Sequence, residues 1–138
     1  MTGMKKIVAA AVLLAGTALF GEMVWQKDLP AAFEKARQEH KTVMVFVEGE
    51  HCRWCKKMKY RTLSDENVEK RLAPYITVKV MEENTKAVNT LPKIDGVPTI
   101  LFMSADKKVI ESVVGYYDTA DFISFIDTVE KKVPLKKQ

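Results

Sequence analysis

The sequence predicts an α/β fold: a mixed central sheet flanked by helices on both faces. Three observations carry this. Apolar, β-branched runs alternate along the chain with segments of helical periodicity. The early runs are separated by stretches long enough for crossovers, so their strands run parallel. The last two runs are separated only by Ala105-Asp106-Lys107-Lys108, which makes them an antiparallel hairpin.

At 138 residues the chain has the length of one domain. Residues 1–21 read as a secretory signal peptide and residues 22–138 as the folded domain. Lys5 and Lys6 form a basic start, and Ile7 to Phe20 is an uncharged run of apolar and small residues. Gly16-Thr17-Ala18 supplies small residues for a cleavage site, with Gly21 as a second candidate end. An uncleaved anchor is the alternative, but the run falls short of the roughly 20 residues that span a bilayer.

In the remainder, Asp28-Leu29-Pro30 reads as a helix start, with Asp28 as cap and Pro30 in the first turn. Ala31, Ala32, Phe33 and Ala36 give that helix its apolar stripe, to about His40. Thr42 to Val47 is continuous and β-branched, a strand buried on both faces. A cysteine-bearing loop follows, then a helix to about Tyr60. Ser64 to Leu72 reads as a second helical piece, with Ser64 and Asn67 in cap-like positions. Tyr75 to Val80 reads as a strand, and the polar stretch from Glu82 to Thr90 has room for a short helix. Thr99 to Met103 and Val109 to Val114 form the hairpin. Gly115-Tyr116-Tyr117 is a break. Thr119 to Lys132 is a last amphipathic helix with Phe122, Ile123, Phe125, Ile126 and Val129 on its apolar side.

The formal charge of +4 falls to +2 without Lys5 and Lys6, too weak to argue for nucleic acid. Lys131, Lys132, Lys136 and Lys137 read as a solvated basic end. There is no nucleophile elbow or Gly-rich phosphate loop, and His40 and His51 are the only histidines, so hydrolase chemistry has little support.

The chemistry concentrates on the only two cysteines, in His51-Cys52-Arg53-Trp54-Cys55. A strand that delivers Cys-x-x-Cys to the first turn of a helix has the layout of a dithiol redox site. Positions i and i+3 of a helix are neighbours, so the bond can form. It would close so small a loop that it restricts the unfolded chain little. Two alternatives stand beside redox chemistry: an inert bridge, and a soft-metal (copper) module using His51, Cys52 and Cys55, with Met58 a further soft donor that reads better as core.

These residues resemble the thioredoxin-fold family, and within it the exported thioredoxin-like proteins with a Cys-x-Trp-Cys site followed by Lys-Lys-Met. The resemblance covers about Asp28 to Lys132. It rests on Val45-Phe46-Val47 leading into Cys52-Arg53-Trp54-Cys55, on Ile76 to Val80, on Gly96-Val97-Pro98-Thr99, and on Gly115 after the hairpin. Three departures accompany it. Arg53-Trp54 replaces the usual Gly-Pro, His51 replaces an aromatic, and Phe46 occupies the place of a buried acid that helps deprotonate the second cysteine. Glu48 and Glu50 are the nearby carboxylates in sequence.

The resemblance implies a thiol–disulfide oxidoreductase. Cys52 would be the attacking thiol, its thiolate favoured at a helix start and by the positive charges of Arg53 and protonated His51. Cys55 would resolve the mixed disulfide. Val97 would offer its backbone to a substrate chain, Pro98 would follow a cis peptide bond against the dithiol, and Trp54 would cover the helix start or help dock partners. No cofactor and no resident metal is expected. The expected partners are exported protein substrates bearing thiols or disulfides and a membrane electron-transfer partner. The protein is expected to work in the periplasm, or otherwise exported, as a monomer and as a reductant rather than an oxidase. The rival classes are the copper module and a non-enzymatic adaptor that uses the fold for docking alone.

Overall fold

β2, Val43–Glu48, is the strand that positions everything else, and all six of its residues are buried. The alternation of a strand sends its side chains to two separate cores. Met44 and Phe46 point to one, Val43, Val45 and Val47 to the other. No residue of β2 faces solvent, which is why Val43 to Val47 reads as continuously apolar.

The computed structural model describes residues 23–135; the expected signal peptide (1–21), Lys136 and Lys137 lie outside the described residues. The other elements, in chain order, are β1 (Trp25–Gln26), α1 (Leu29–Glu39), α2 (Arg53–Lys57) continued by a π-helical turn (Met58–Thr62), α3 (Glu66–Leu72), β3 (Ile76–Met81), α4 (Thr85–Val88), β4 (Thr99–Met103), β5 (Val109–Val114) and α5 (Thr119–Lys132). The sheet runs β1-β3-β2-β4-β5. β1 and β2 both pair parallel with β3, whereas β4 is antiparallel to β2 and to β5. The mixed α/β sheet expected from the sequence is therefore present.

The first core packs α1 and the stretch around α4 against one face, through Leu29, Ala32, Phe33 and Ala36. The second packs α2, α3 and α5 against the other, through Cys55, Met58, Leu72, Phe122 and Ile126. Phe102 anchors this second core, edge-on to Tyr75 at 5.1 Å and to Phe125 at 5.5 Å.

Caps set the helix starts. Asp28 accepts from the amide of Ala31, with Pro30 inside the first turn as expected. His40 ends α1 at φ 55° and ψ 48°, its N–H bonded to the Ala36 carbonyl. Three details differ from expectation. α3 is capped by Asp65, which accepts from Asn67 and Val68, not by Ser64 or Asn67. The Ser64 hydroxyl instead donates to the Tyr60 carbonyl. β1 was not anticipated: it is two residues long and carries no alternation to detect.

Candidate active site

Because β4 is antiparallel to β2, the start of one strand lies beside the end of the other. Val47 pairs with Thr99, so the cysteine loop after β2 and the Val97-Pro98 segment before β4 emerge at one end of the sheet. That end also receives the close of β5, where Val114 pairs with Thr99. Three chain segments far apart in sequence thus converge on a single edge.

The loop that carries the first cysteine is fastened to the strand beside it. The Glu82 amide donates to the Glu48 carbonyl at 2.7 Å, carrying the ladder one step past β3. The Glu50 amide donates to the Glu83 carboxylate at 2.8 Å. That bond, with a smaller contribution from nearby His51, holds the Glu83 carboxyl below its usual range. The loop passes close to its neighbours at Gly49: a Cβ there would stand 3.1 Å from Glu82 Oε1 and 3.4 Å from Val97 Cγ2, so the Glu82 side chain would have to shift.

Cys52 is the N-cap of α2, with extended backbone (φ −108°, ψ 101°), and its Sγ accepts a hydrogen bond from the Cys55 amide at 3.1 Å. Cys52 and Cys55 are joined in a disulfide with their Cα atoms 5.2 Å apart. The two sulfurs are unequally accessible: Cys52 is half-buried and Cys55 has no exposure. Helix and loop geometry produce this inequality, since the cap sits at the mouth of the turn and the third helical residue faces the core.

His51 and Arg53 flank the pair and are both exposed. Trp54 is 47% exposed, so it does not belong to the core. Its ring lies 5.9 Å from that of Tyr116, in the break after β5. Lys57 Nζ stands over both rings, 4.9 Å from Trp54 and 4.5 Å from Tyr116, and the Arg53 guanidinium lies 5.6 Å from the Trp54 ring. Val97 packs against both cores and Pro98 is buried, behind a cis Val97–Pro98 peptide bond. The Pro98 carbonyl accepts from the amide of Gly115, whose φ of 101° favours glycine.

Below the loop lies Glu48, one of the two carboxylates near the cysteines in sequence. Glu48 is 7% exposed and accepts from Lys59 Nζ at 3.0 Å, while Phe46, in the place of the expected acid, is fully buried against Trp25. Glu48 ends a strand that is otherwise apolar, and Lys59 follows Cys55 by one helical turn; that pairing of an acid and a base across one fold step is the available sequence signal. The Glu48–Lys59 pairing, Tyr116 and Glu83 were missed. Glu83 lies in a polar stretch with nothing to distinguish it, whereas Tyr116 follows the glycine that closes β5. Among the described residues, no group of three or more His, Cys, Asp or Glu side chains is placed to hold a metal ion, and His51, Cys52 and Cys55 do not make one in this disulfide form. Met58 is fully buried in the core.

The fold and the site define a class: a five-stranded mixed sheet that presents a Cys-x-x-Cys disulfide at a helix start beside a proline-led strand. The chain belongs to the thioredoxin-like family, whose model matches residues 24–105. It is 30% identical over 97 residues to the thiol:disulfide interchange protein DsbD of Yersinia pestis, a match that covers 66% of this chain and 16% of that protein. The chain thus spans about a sixth of the length of the curated relative it matches. Its fold is similar to that of DsbH oxidoreductase, with a TM-score of 0.68 at 20% identity over 86% of this chain and 92% of the other. A thioredoxin from Thermus thermophilus aligns with a TM-score of 0.66 at 25% identity, covering 74% and 83% of the two chains.

Proposed function

We propose that this protein is an exported thiol–disulfide oxidoreductase that reduces disulfides in protein substrates. The observation that carries the reading is the inequality of the two sulfurs: Cys52 half-buried at a helix cap, Cys55 wholly buried behind it. In the reduced protein the Cys52 thiolate attacks one sulfur of a substrate disulfide. That S–S bond breaks, a Cys52–substrate bond forms, and the other substrate sulfur leaves as a thiolate. Cys55, deprotonated in turn, attacks Cys52 Sγ, and the second substrate sulfur leaves. Two electrons pass to the substrate, and the protein ends as the Cys52–Cys55 disulfide.

The environment supports these roles. The Cys55 amide already donates to Cys52 Sγ, and a thiolate accepts such a bond more strongly than a disulfide sulfur does. Arg53 adds positive charge beside it. Val97 and Pro98, at the shared sheet end, and exposed Trp54 are the substrate-docking residues of this reading. The name of the Yersinia relative, thiol:disulfide interchange protein, agrees with it. The periplasm is kept oxidising, so a reductant working there must draw electrons from across the membrane, which is the reason for a membrane electron-transfer partner. Among the described residues no helix is long and apolar enough to cross a membrane itself. The working unit is a monomer.

The test is the equilibrium redox potential of the Cys52–Cys55 pair against glutathione, read by trapping free thiols. A value near or below about −250 mV is expected of a reductant. A value near −150 mV or above would make the protein an oxidant or isomerase instead. Absence of any reversible disulfide would overturn the exchange reading altogether.

A further inference from the structure

The dithiol lies on a boundary of charge. From His51 to Ser64 there is no acidic residue, while Arg53, Lys56, Lys57, Lys59 and Arg61 are all cationic. Among the described residues only Lys59 of these five has an ion-pair partner, Glu48. Arg53 and Lys57 instead stand over the exposed Trp54 ring, and Lys57 also over Tyr116. Val114, 51% exposed at the end of β5, adds apolar surface at the same end of the sheet.

The other flank has the opposite sign. The sheet order sets β3 on one side of β2 and the β4–β5 hairpin on the other. Glu82 and Glu83 follow β3, and Glu83 is bonded to the amide of Glu50 beside the cysteine loop. Glu82 and Glu83 therefore lie on the β3 side of Cys52, and Arg53 and Lys57, with the Trp54 and Tyr116 rings, toward the end of β5. A substrate crossing the dithiol meets a surface with a built-in polarity.

We propose that this face docks polypeptide segments carrying carboxylates on one side of the reacting disulfide, seated against Arg53, Trp54, Lys57 and Tyr116. The inference rests on the exchange reading and names its substrate class. Exposed unpaired cations steer acidic partners and raise their rate of encounter, and aromatic rings supply contact area without opposing that charge. Lysine-bearing segments in the same place would be repelled.

The experiment uses the reduced protein and short peptides closed by one internal disulfide. The peptides differ only in the residues before or after it, which are Glu, Gln or Lys. The rate at which the protein's thiols are consumed is read by acid quench, alkylation and mass spectrometry. Each rate is divided by that of the same peptide with dithiothreitol, because nearby Glu and Lys alter the intrinsic reactivity of the peptide disulfide. At low salt, Glu in one of the two placements should exceed Lys in that placement by more than fivefold, and the ratio should shrink as salt screens the charges. The double substitution R53Q/K57Q should at least halve the ratio, a readout that cancels any effect of Arg53 on the thiolate itself. Ratios below fivefold in both placements overturn the inference and leave the exchange reading standing, as does a ratio that survives R53Q/K57Q unchanged. Failure to reduce any peptide overturns both.

Discussion

Cys52 and Cys55 differ in access, and that difference makes their roles separable at the level of single residues. On the proposed mechanism, Cys55→Ser keeps the attacking sulfur and leaves nothing to release the substrate. A mixed disulfide should accumulate and be visible as added mass in a non-reducing digest; Cys52→Ser should form none. Equal trapping by both variants would mean that burial of Cys55 does not order the reaction. A second residue-scale consequence concerns Glu48, 7% exposed with Lys59 as its ion-pair partner. Removing one partner of a fully buried pair costs about 3–5 kcal/mol, because a charge is left buried alone. Lys59 is 28% exposed, so water shares part of that burden. Lys59→Met should therefore destabilise by about 1–2 kcal/mol in urea unfolding, and Glu48→Gln/Lys59→Met should recover most of the loss. If the double variant is no better than the single one, the pair is not what fixes this corner.

At the scale of elements, Tyr75 closes the turn between α3 and β3. Its hydroxyl is buried with no hydrogen-bond partner among the described residues, and its ring stands edge-on to Phe102. Burial pushes its ionisation up to about 12, with Glu130 adding to the effect. The folded state therefore holds the phenol proton more tightly than the unfolded chain. That contribution is complete below about pH 10 and is lost as pH rises toward about 12. Tyr75→Phe keeps the ring contact and removes the unsatisfied hydroxyl. It should raise stability at neutral pH by up to about 1 kcal/mol and flatten the alkaline decline, both read from urea midpoints against pH. A variant less stable than the parent would mean the hydroxyl has found a partner.

The same scale explains how much of the fold was legible in the sequence. β2, β4 and α5 announced themselves because burial imposes a pattern: a continuous apolar run for a strand covered on both faces, a 3.6-residue stripe for α5. β1 has two residues, too few for any period. The π-helical turn at Met58–Thr62 carries no residue preference that separates it from the α-helix it continues. Asp65 rather than Ser64 caps α3 because both are good caps and backbone geometry decides between neighbours. At the site, Cys52 and Cys55 were legible because reactive spacing is local. The Glu83 bond to the Glu50 amide and the Trp54–Tyr116 contact join residues that only the sheet order brings together.

For the whole molecule, redox potential and global stability are two sides of one thermodynamic cycle. If folding favours the disulfide over the dithiol, the potential of the folded protein lies below that of its unfolded chain, and the oxidised form is the more stable. Each 30 mV of that difference corresponds to about 1.4 kcal/mol. Opposed contributions meet here. The amide of Cys55 and the nearby cations favour a thiolate at Cys52 and so stabilise the reduced form. Full burial of Cys55 works the other way, because the reduced form places a second polar S–H in the same packed core where the oxidised form has only a disulfide sulfur. The proposed direction of electron flow requires the second contribution to win. Oxidised protein should then show the higher urea midpoint, by a margin that matches the potential measured against glutathione. A reduced form more stable than the oxidised one would reverse the assignment, since an oxidant is a protein whose fold holds the dithiol better than the disulfide.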